Sequence, residues 1–190
     1  AALTSIALGH RATVFMVATA ALAATLAGWT GTDDVVIGTP VAGRGEEQLD
    51  RMVGMFVNTI ALRTRVDPSI TFAELLTHAR TEILDDLANA ELPLERVVDI
   101  VDPLRTTAHH PLFQVILAFQ NHAAPSFIAG DLTVDPIDLG GVVSSEFDLA
   151  VSVDDSRDDG TLPIRFDYAT DLFDSTTIER LADRFLRLLA

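Results

Sequence analysis

A long run without charge constrains this chain more than any other part of its sequence. Residues 12–32 contain no acidic or basic side chain, and such a run suits a helix buried in a protein core or in a membrane. Seven of residues 12–29 are Ala and three are Thr, which makes the stretch only weakly hydrophobic. We therefore expect a buried helix of a globular domain, capped by Thr13 and running to about Trp29.

The composition predicts one folded, acidic domain that spans residues 1–190. The chain is 48% apolar and 22% charged, enough to build one substantial core. Its 13 basic and 28 acidic side chains give a formal charge of -15, which repels phosphate backbones and argues against a nucleic-acid partner. The absence of Cys excludes disulfides, thiol catalysis and thiolate metal sites. The chain starts with Ala and shows no secretion signal, so we expect an excised segment of a cytoplasmic protein.

Periodicity predicts alternating helices and strands. Apolar residues recur at helical spacing after Ser69, a cap candidate, and Pro93 suits the first turn of a further helix. Ser175 or Asp174 is expected to cap the last one. Residues 54–66 predict a strand that is apolar on both faces through Leu62, as in a strand covered on both sides, and residues 123–141 are expected to form a long loop. The other predicted strands cover residues 35–41 and 113–120, with an antiparallel hairpin formed by residues 147–153 and 162–168. The pattern indicates an α/β fold with a mixed sheet flanked by helices.

The adjacent pair His109 and His110 is the most conspicuous candidate for acid–base or metal chemistry. Neighbouring residues of an extended chain point to opposite sides, and no acidic residue follows closely to orient a ring. A structural or surface role is therefore the favoured interpretation. The acidic pairs lie in predicted loops or on polar faces, where solvated carboxylates are the rule. Neither a metal site nor a catalytic residue is predicted within this chain.

Asn58 is the more informative polar residue. In the predicted strand it shares a face with Phe56, Ile60 and Leu62, where an unpaired amide costs about 1–3 kcal/mol. Its side chain either bonds a neighbouring strand or loop, or reaches into a polar cleft to hold a substrate carbonyl or amine. The residues alone leave both alternatives open.

Five segments in order resemble the motifs of condensation domains of nonribosomal peptide synthetases. VGMFVNT at residues 53–59, with Arg63 downstream, is similar to (I/V)GxFVNT, and ELPLERVV at residues 91–98 resembles the HQDxPFE stretch. Arg105 and HPLFQV at residues 110–115 resemble RDxSRNPLFQV. The remaining two are IGTPVAGR at residues 37–44 and EFDL at residues 146–149. Departures occur at residues 89–91, at Leu94 and at residues 106–110.

The resemblance implies one lobe of a two-lobed fold similar to chloramphenicol acetyltransferase. In this family, donor and acceptor groups arrive as phosphopantetheine thioesters on upstream and downstream carrier proteins, and the acceptor amine attacks the donor thioester. The HHxxxDG motif with the catalytic histidine belongs to the N-terminal lobe and is absent from this C-terminal lobe. Because the substrates arrive on the phosphopantetheine arms of carrier proteins, the resemblance implies no directly bound cofactor. The resemblance places Phe56, Asn58 and Thr59 at the substrate tunnel, and residues 38–51 and 121–145 in crossings to the other lobe.

The family's conserved pattern also matches Gly54, Arg63, Pro93, Glu95, Arg105 and Pro111. Two other kinds of protein share this pattern. A non-catalytic relative that only docks carriers is the first, and an epimerisation or heterocyclisation domain is the second. We expect the isolated lobe to form no amide and, because a tunnel wall is half of an interface, to self-associate through exposed apolar surface.

Overall fold

The computed structural model is an α/β layer in which a mixed sheet carries the helices. The helices are α1 (Ala2–Gly9), α2 (Val14–Thr30), α3 (Phe72–Ala88), α4 (Leu94–Val101) and α5 (Ser175–Leu189). The strands are β1 (Asp34–Ala42), β2 (Val57–Arg65), β3 (Val115–Gln120), β4 (Phe127–Ala129), β5 (Leu132–Val134), β6 (Leu149–Asp154) and β7 (Ile164–Tyr168). The structure describes residues 2–43, 48–49, 52–103, 109–121, 127–129, 132–134, 147–155 and 161–190.

The main sheet has the strand order β2-β1-β3-β6-β7. Its three central strands β1, β3 and β6 run parallel, and β2 and β7 pair antiparallel at the two edges. The predicted mixed sheet and the hairpin of β6 and β7 are confirmed, with buried and half-buried residues alternating along β6. Within the predicted 123–141 loop, β4 and β5 form a separate antiparallel hairpin.

Helix α2 is the buried helix that the uncharged run predicts. It packs against β1 and lies between α3 and α5, so apolar neighbours surround it on several sides. The hydroxyls of Thr19 and Thr25 donate to the carbonyls of Phe15 and Ala21, which satisfies both polar groups inside the core. The hydroxyl of Thr13 caps the helix by accepting from the Met16 N–H.

Among the described residues, no single helix is long and apolar enough to cross a membrane. Only the pair Leu3–Gly9 and Val14–Thr30 passes such a test together, and the two helices are bent by 98°. Helix α1 has no counterpart in the sequence analysis, because a short helix gives little periodic signal.

Two sequence-based expectations about local structure are wrong. Helix α3 is capped by Thr71, whose side chain forms a reciprocal capping box with Glu74. Ser69 instead donates its N–H and hydroxyl to the carboxylate of Asp67 in the preceding turn. Strand β2 begins at Val57 and buries only one face. Ile60, Leu62 and Thr64 are buried, whereas Val57, Arg63 and Arg65 on the opposite face are exposed, so the segment is not covered on both sides.

The helix starts lie close to the predictions: Asp174 is one of the two expected caps of α5, and Pro93 lies one position before the expected first turn of α4. Pro93 is the N-cap of α4, immediately before its first turn, and Asp174 is the N-cap of α5 without a side-chain capping bond.

Candidate functional site

Asn58 joins the edge strand to the turn between α3 and α4. Its side-chain amide donates to the carbonyl oxygens of Ala90 at 2.8 Å and Leu92 at 2.9 Å. The strand therefore clamps the turn through both amide hydrogens, which matches the first of the two alternatives, a bond to a neighbouring loop. The residues at both ends of the clamp come from motif segments, VGMFVNT and the stretch before LPLERVV.

The other two residues expected at the tunnel lie beside Asn58 on the same segment. Phe56 is half-buried just before β2, and its carbonyl accepts from the Gly43 N–H at 2.9 Å. Its ring lies over Gly54, where an added Cβ would sit 3.0 Å from the Phe56 Cε2. Thr59 is half-buried and pairs with Pro40 across the β1–β2 ladder.

A second cluster of motif residues lies around Gly38. The Phe113 ring covers Gly38 so closely that a Cβ there would overlap it. The ring centroid of Phe113 is 4.1 Å from that of His110 and 5.6 Å from that of Phe147. Three motif segments, IGTPVAGR, HPLFQV and EFDL, thus meet in one aromatic stack. Gly38, Phe113 and Phe147 of these segments pack against one another.

His110 belongs to this stack, as its structural interpretation predicts. Its Nδ1 accepts from the backbone N–H groups of Leu112 and Phe113, each at 3.3 Å. Burial lowers the pKa of the imidazole, and an unprotonated Nδ1 is what these two bonds require. His109 is exposed, with its Nδ1 3.2 Å from the His110 carbonyl oxygen.

The remaining matched residues are spread over the lobe. Arg63 forms a bidentate pair with Asp34 at 2.6 and 2.8 Å, and its bond to Asp34 raises the pKa of the guanidinium. Glu95 is exposed in the first turn of α4, where a carboxylate favours the helix dipole. Pro111 is half-buried beside the aromatic stack. Arg105 lies outside the described residues.

A pocket of about 460 Å³ opens where the three parallel strands end. Ligands of open α/β sheets bind at this edge, and the volume falls in the range of roughly 300–1,000 Å³ typical of small-molecule sites. Its apolar walls are Leu84 and Leu87 of α3 and Phe119 of β3, and polar groups come from Asn121 and Asp155, just after β3 and β6. The first turn of α2 and residues 39–41 complete the lining.

Sequence reasoning missed this pocket. The acidic pairs that the sequence places in loops or on polar faces include Asp154 and Asp155, and Asn121 falls at the start of a predicted crossing segment. The available signal was that each directly follows an apolar strand, where side chains of adjacent parallel strands converge. The pocket adjoins the Asn58 clamp, because Val41 of its lining is the cross-strand partner of Asn58.

Two carboxylates one turn apart on α3, Glu82 and Asp86, have raised pKa values. Burial raises the pKa of Asp86 to about 6, with Glu82 and Asp85 adding repulsion. Burial also raises the pKa of Glu82, whose Oε2 has no hydrogen-bond partner among the described residues. In the described part of the chain, no group of three His, Asp or Glu residues is placed to hold a metal ion.

We expect Asp86→Asn to stabilise the fold at neutral pH but not in acid. The pKa of Asp86 is raised from 3.8 to about 6, so the folded state holds the proton more tightly and loses stability as the pH rises across that interval. The expected gain at pH 7.5 is about 1 kcal/mol after allowing for water screening of the half-exposed side chain. Denaturant unfolding at pH 4 and pH 7.5 measures it. Exposed Asp183→Asn is the control, and equal effects of both variants would contradict the assignment.

The fold and the two motif clusters together define the class. A mixed sheet with parallel central strands, a buried Ala-rich helix and an aromatic stack over Gly38 form a lobe of the chloramphenicol acetyltransferase-like α/β class. The chain belongs to the condensation-domain family, whose model matches residues 1–190.

Individual relatives agree with this assignment. The dimodular nonribosomal peptide synthase of Bacillus subtilis (strain 168) is 39% identical over 191 residues, which cover 98% of this chain and 8% of that protein. The condensation domain of the Monacolin K polyketide synthase MokA shares the fold at a TM-score of 0.79 and 19% identity, with 99% of this chain and 43% of that one covered. The X-domain from teicoplanin biosynthesis matches with a TM-score of 0.83, 26% identity and coverage of 100% and 43%.

The predicted family and fold class are thereby confirmed. The chain spans between 2% and 17% of the length of the curated relatives it matches. These relatives are synthases and synthetases by name, and the chain corresponds to a small part of each.

Proposed function

We propose that this chain is the C-terminal lobe of a condensation domain and forms one wall of its substrate tunnel. The proposal rests chiefly on the family match over the whole chain, together with the ordered motif segments that meet in the two clusters described above. In the proposed reaction, the acceptor amine attacks the donor thioester carbonyl. A C–N bond forms, the C–S bond breaks, and the donor phosphopantetheine leaves as its thiolate while the amine gives up a proton.

The lobe's own contribution would be positioning. The family's HHxxxDG histidine, which acts as a base or as a positioning group, is assigned to the N-terminal lobe, outside residues 1–190. The clamp at Asn58 holds the end of α3 against the edge strand, and Phe56 and Thr59 flank it. Phosphopantetheine arms of the carriers would bring both substrates, and no other cofactor is required by this chemistry.

The surface before β2 supports the presence of a second lobe. Met52, Val53, Met55 and Val57 are all exposed large apolar residues within a few positions of one another. Clusters of exposed apolar side chains mark interaction surfaces, and the N-terminal lobe of the same domain is the partner that we assign to this one. Self-association of the isolated lobe through the same surface stays a prediction.

The proposed reaction is tested with carriers loaded with donor acyl and acceptor aminoacyl groups. We expect the complete condensation domain to form the amide and this chain alone to form none, as measured by mass spectrometry of the product. Amide formation by the isolated chain would overturn the division of roles between the lobes.

A carrier-docking domain without catalysis is the second candidate. The similarity to the X-domain from teicoplanin biosynthesis favours a binding role, because that fold neighbour has also been solved in a complex with OxyB. If the complete domain binds loaded carriers but yields no amide, this candidate replaces the first.

A further inference from the structure

The pocket at the carboxyl edge of the sheet has an apolar side and an anionic side. Leu84 and Leu87 of α3 and Phe119 of β3 supply an apolar wall, while the carboxylate of Asp155 is the one formal charge among the described residues that line the pocket. Leu84 is 42% exposed, so its side chain gains burial when an apolar group enters. An apolar wall beside a single anionic group suits a ligand that carries an amine and an apolar substituent close together.

Helix α2 adds a further constraint on the ligand. Its first turn lines the pocket, and the partial positive charge of a helix N-terminus disfavours cations within reach of it. A cationic side chain inside the pocket is therefore unfavourable, whereas an ammonium at the Asp155 end is attracted. The ligand that satisfies both conditions has an uncharged apolar side chain next to its amine.

We propose that this pocket binds the acceptor aminoacyl group, with its apolar side chain against Leu84, Leu87 and Phe119 and its amine at Asp155. The assignment rests on the proposed condensation function, because that reaction requires an acceptor with a free amine. The acyl donor is excluded from the pocket when its nitrogen is already an amide, since it then carries no charge for Asp155 to attract.

The location agrees with this assignment. Val41 lines the pocket and pairs directly with Asn58 across the ladder, and partners in an antiparallel pair lie on the same face of the sheet. The wall residues Leu84 and Leu87 lie on α3 just before the turn that Asn58 clamps. The clamp therefore fixes the wall of the pocket.

The test compares acceptors in the intact parent synthetase. Its acceptor carrier is loaded with leucyl, phenylalanyl or glycyl groups, and kcat/KM is measured for each. Burial of one large apolar side chain changes kcat/KM by about tenfold or more, so we expect leucyl to exceed glycyl by at least that factor. Leu84→Trp fills the space for the acceptor side chain and should reduce the leucyl-to-glycyl ratio to about one, because leucyl transfer falls far more than glycyl transfer.

Leu188→Trp on α5 is the matched control, because Leu188 has the same 42% exposure and lies outside the pocket lining. It should keep the wild-type ratio. If Leu84→Trp fails to fold, Leu87→Ala replaces it, and this enlarged pocket should favour phenylalanyl over leucyl more than the wild type does. Asp155→Asn should raise the KM of leucyl and glycyl acceptors alike, with kcat little changed.

The outcomes separate this inference from the proposed function. If the wild type forms amides but its leucyl-to-glycyl ratio is near one, or if Leu84→Trp lowers both acceptors equally, the pocket assignment is overturned and the condensation function stands. If the wild type forms no amide from any acceptor, the proposed function fails first. An unchanged KM in Asp155→Asn would contradict the proposed contact between Asp155 and the acceptor amine.

Discussion

Gly38→Ala is expected to lower the melting temperature of the domain by roughly 5–10 °C. A Cβ at this position would overlap the Phe113 ring, with Cδ2 and Cζ each only 2.6 Å away. The ring cannot swing aside, because Phe113 is 1% exposed and stacks against His110 and Phe147. Overpacking of this kind costs about 1–3 kcal/mol, and each kcal/mol shifts the melting temperature of a chain of this size by roughly 2–4 °C.

The chain offers a matched control for this substitution. Gly28, in helix α2, has nothing within 4 Å of an added Cβ. Gly28→Ala should therefore be neutral or slightly stabilising, because Ala is favoured over Gly within helices. In the double variant Gly38→Ala with Phe113→Leu, the smaller side chain removes the overlap, and part of the lost stability should return. Circular dichroism measures the melting temperatures. Equal values for the two single Ala variants would contradict the packing argument.

Local sequence signals predicted the elements whose determinants are themselves local. Thr13 caps α2 as expected, since its side chain needs only the helix that follows it. The alternation of apolar and polar residues over 149–153 predicted β6, because one face of that strand packs against the core. The family motifs identified the family, although the structure shows that many of their residues pack against one another instead of meeting at a single centre.

Features set by tertiary neighbours could not be predicted from the sequence. The segment from residue 54 is apolar on both faces through Leu62, a pattern that is the same for a central strand and for an edge strand facing a partner. Ser69 and Thr71 are both good caps, and the bond from Ser69 to Asp67 decided between them. The pocket depends on residues more than a hundred positions apart, such as Val41 and Asp155, whose convergence follows from strand order alone.

Asn58→Ala is expected to reduce amide formation by the complete domain roughly 10- to 100-fold, as small displacements of a positioning element typically do. The substitution removes both bonds to the α3–α4 turn. One of the two carbonyls, that of Leu92, can regain a partner from water because its bond is exposed. The loss of stability should therefore stay near 1 kcal/mol, and the fold should persist while the turn and the end of α3 loosen.

Hydrogen exchange distinguishes a clamp from a direct contact with substrate. The Ala90 and Leu92 amides donate to Leu87 and Asn89 within the turn, so a clamp predicts that they exchange faster in Asn58→Ala as turnover falls. A fall in turnover with unchanged exchange would instead place Asn58 against the substrate.

Asn89→Ala provides the comparison, since it removes a 2.8 Å side-chain bond to the Asp85 carbonyl in the same turn but leaves the link to β2 intact. It should keep turnover within about twofold, because positioning of the turn depends on the strand and a lone exposed bond contributes about 1 kcal/mol or less. Wild-type turnover in Asn58→Ala would leave the residue with a purely structural role. The two Asn variants therefore separate loosening of the turn itself from loss of its attachment to the sheet.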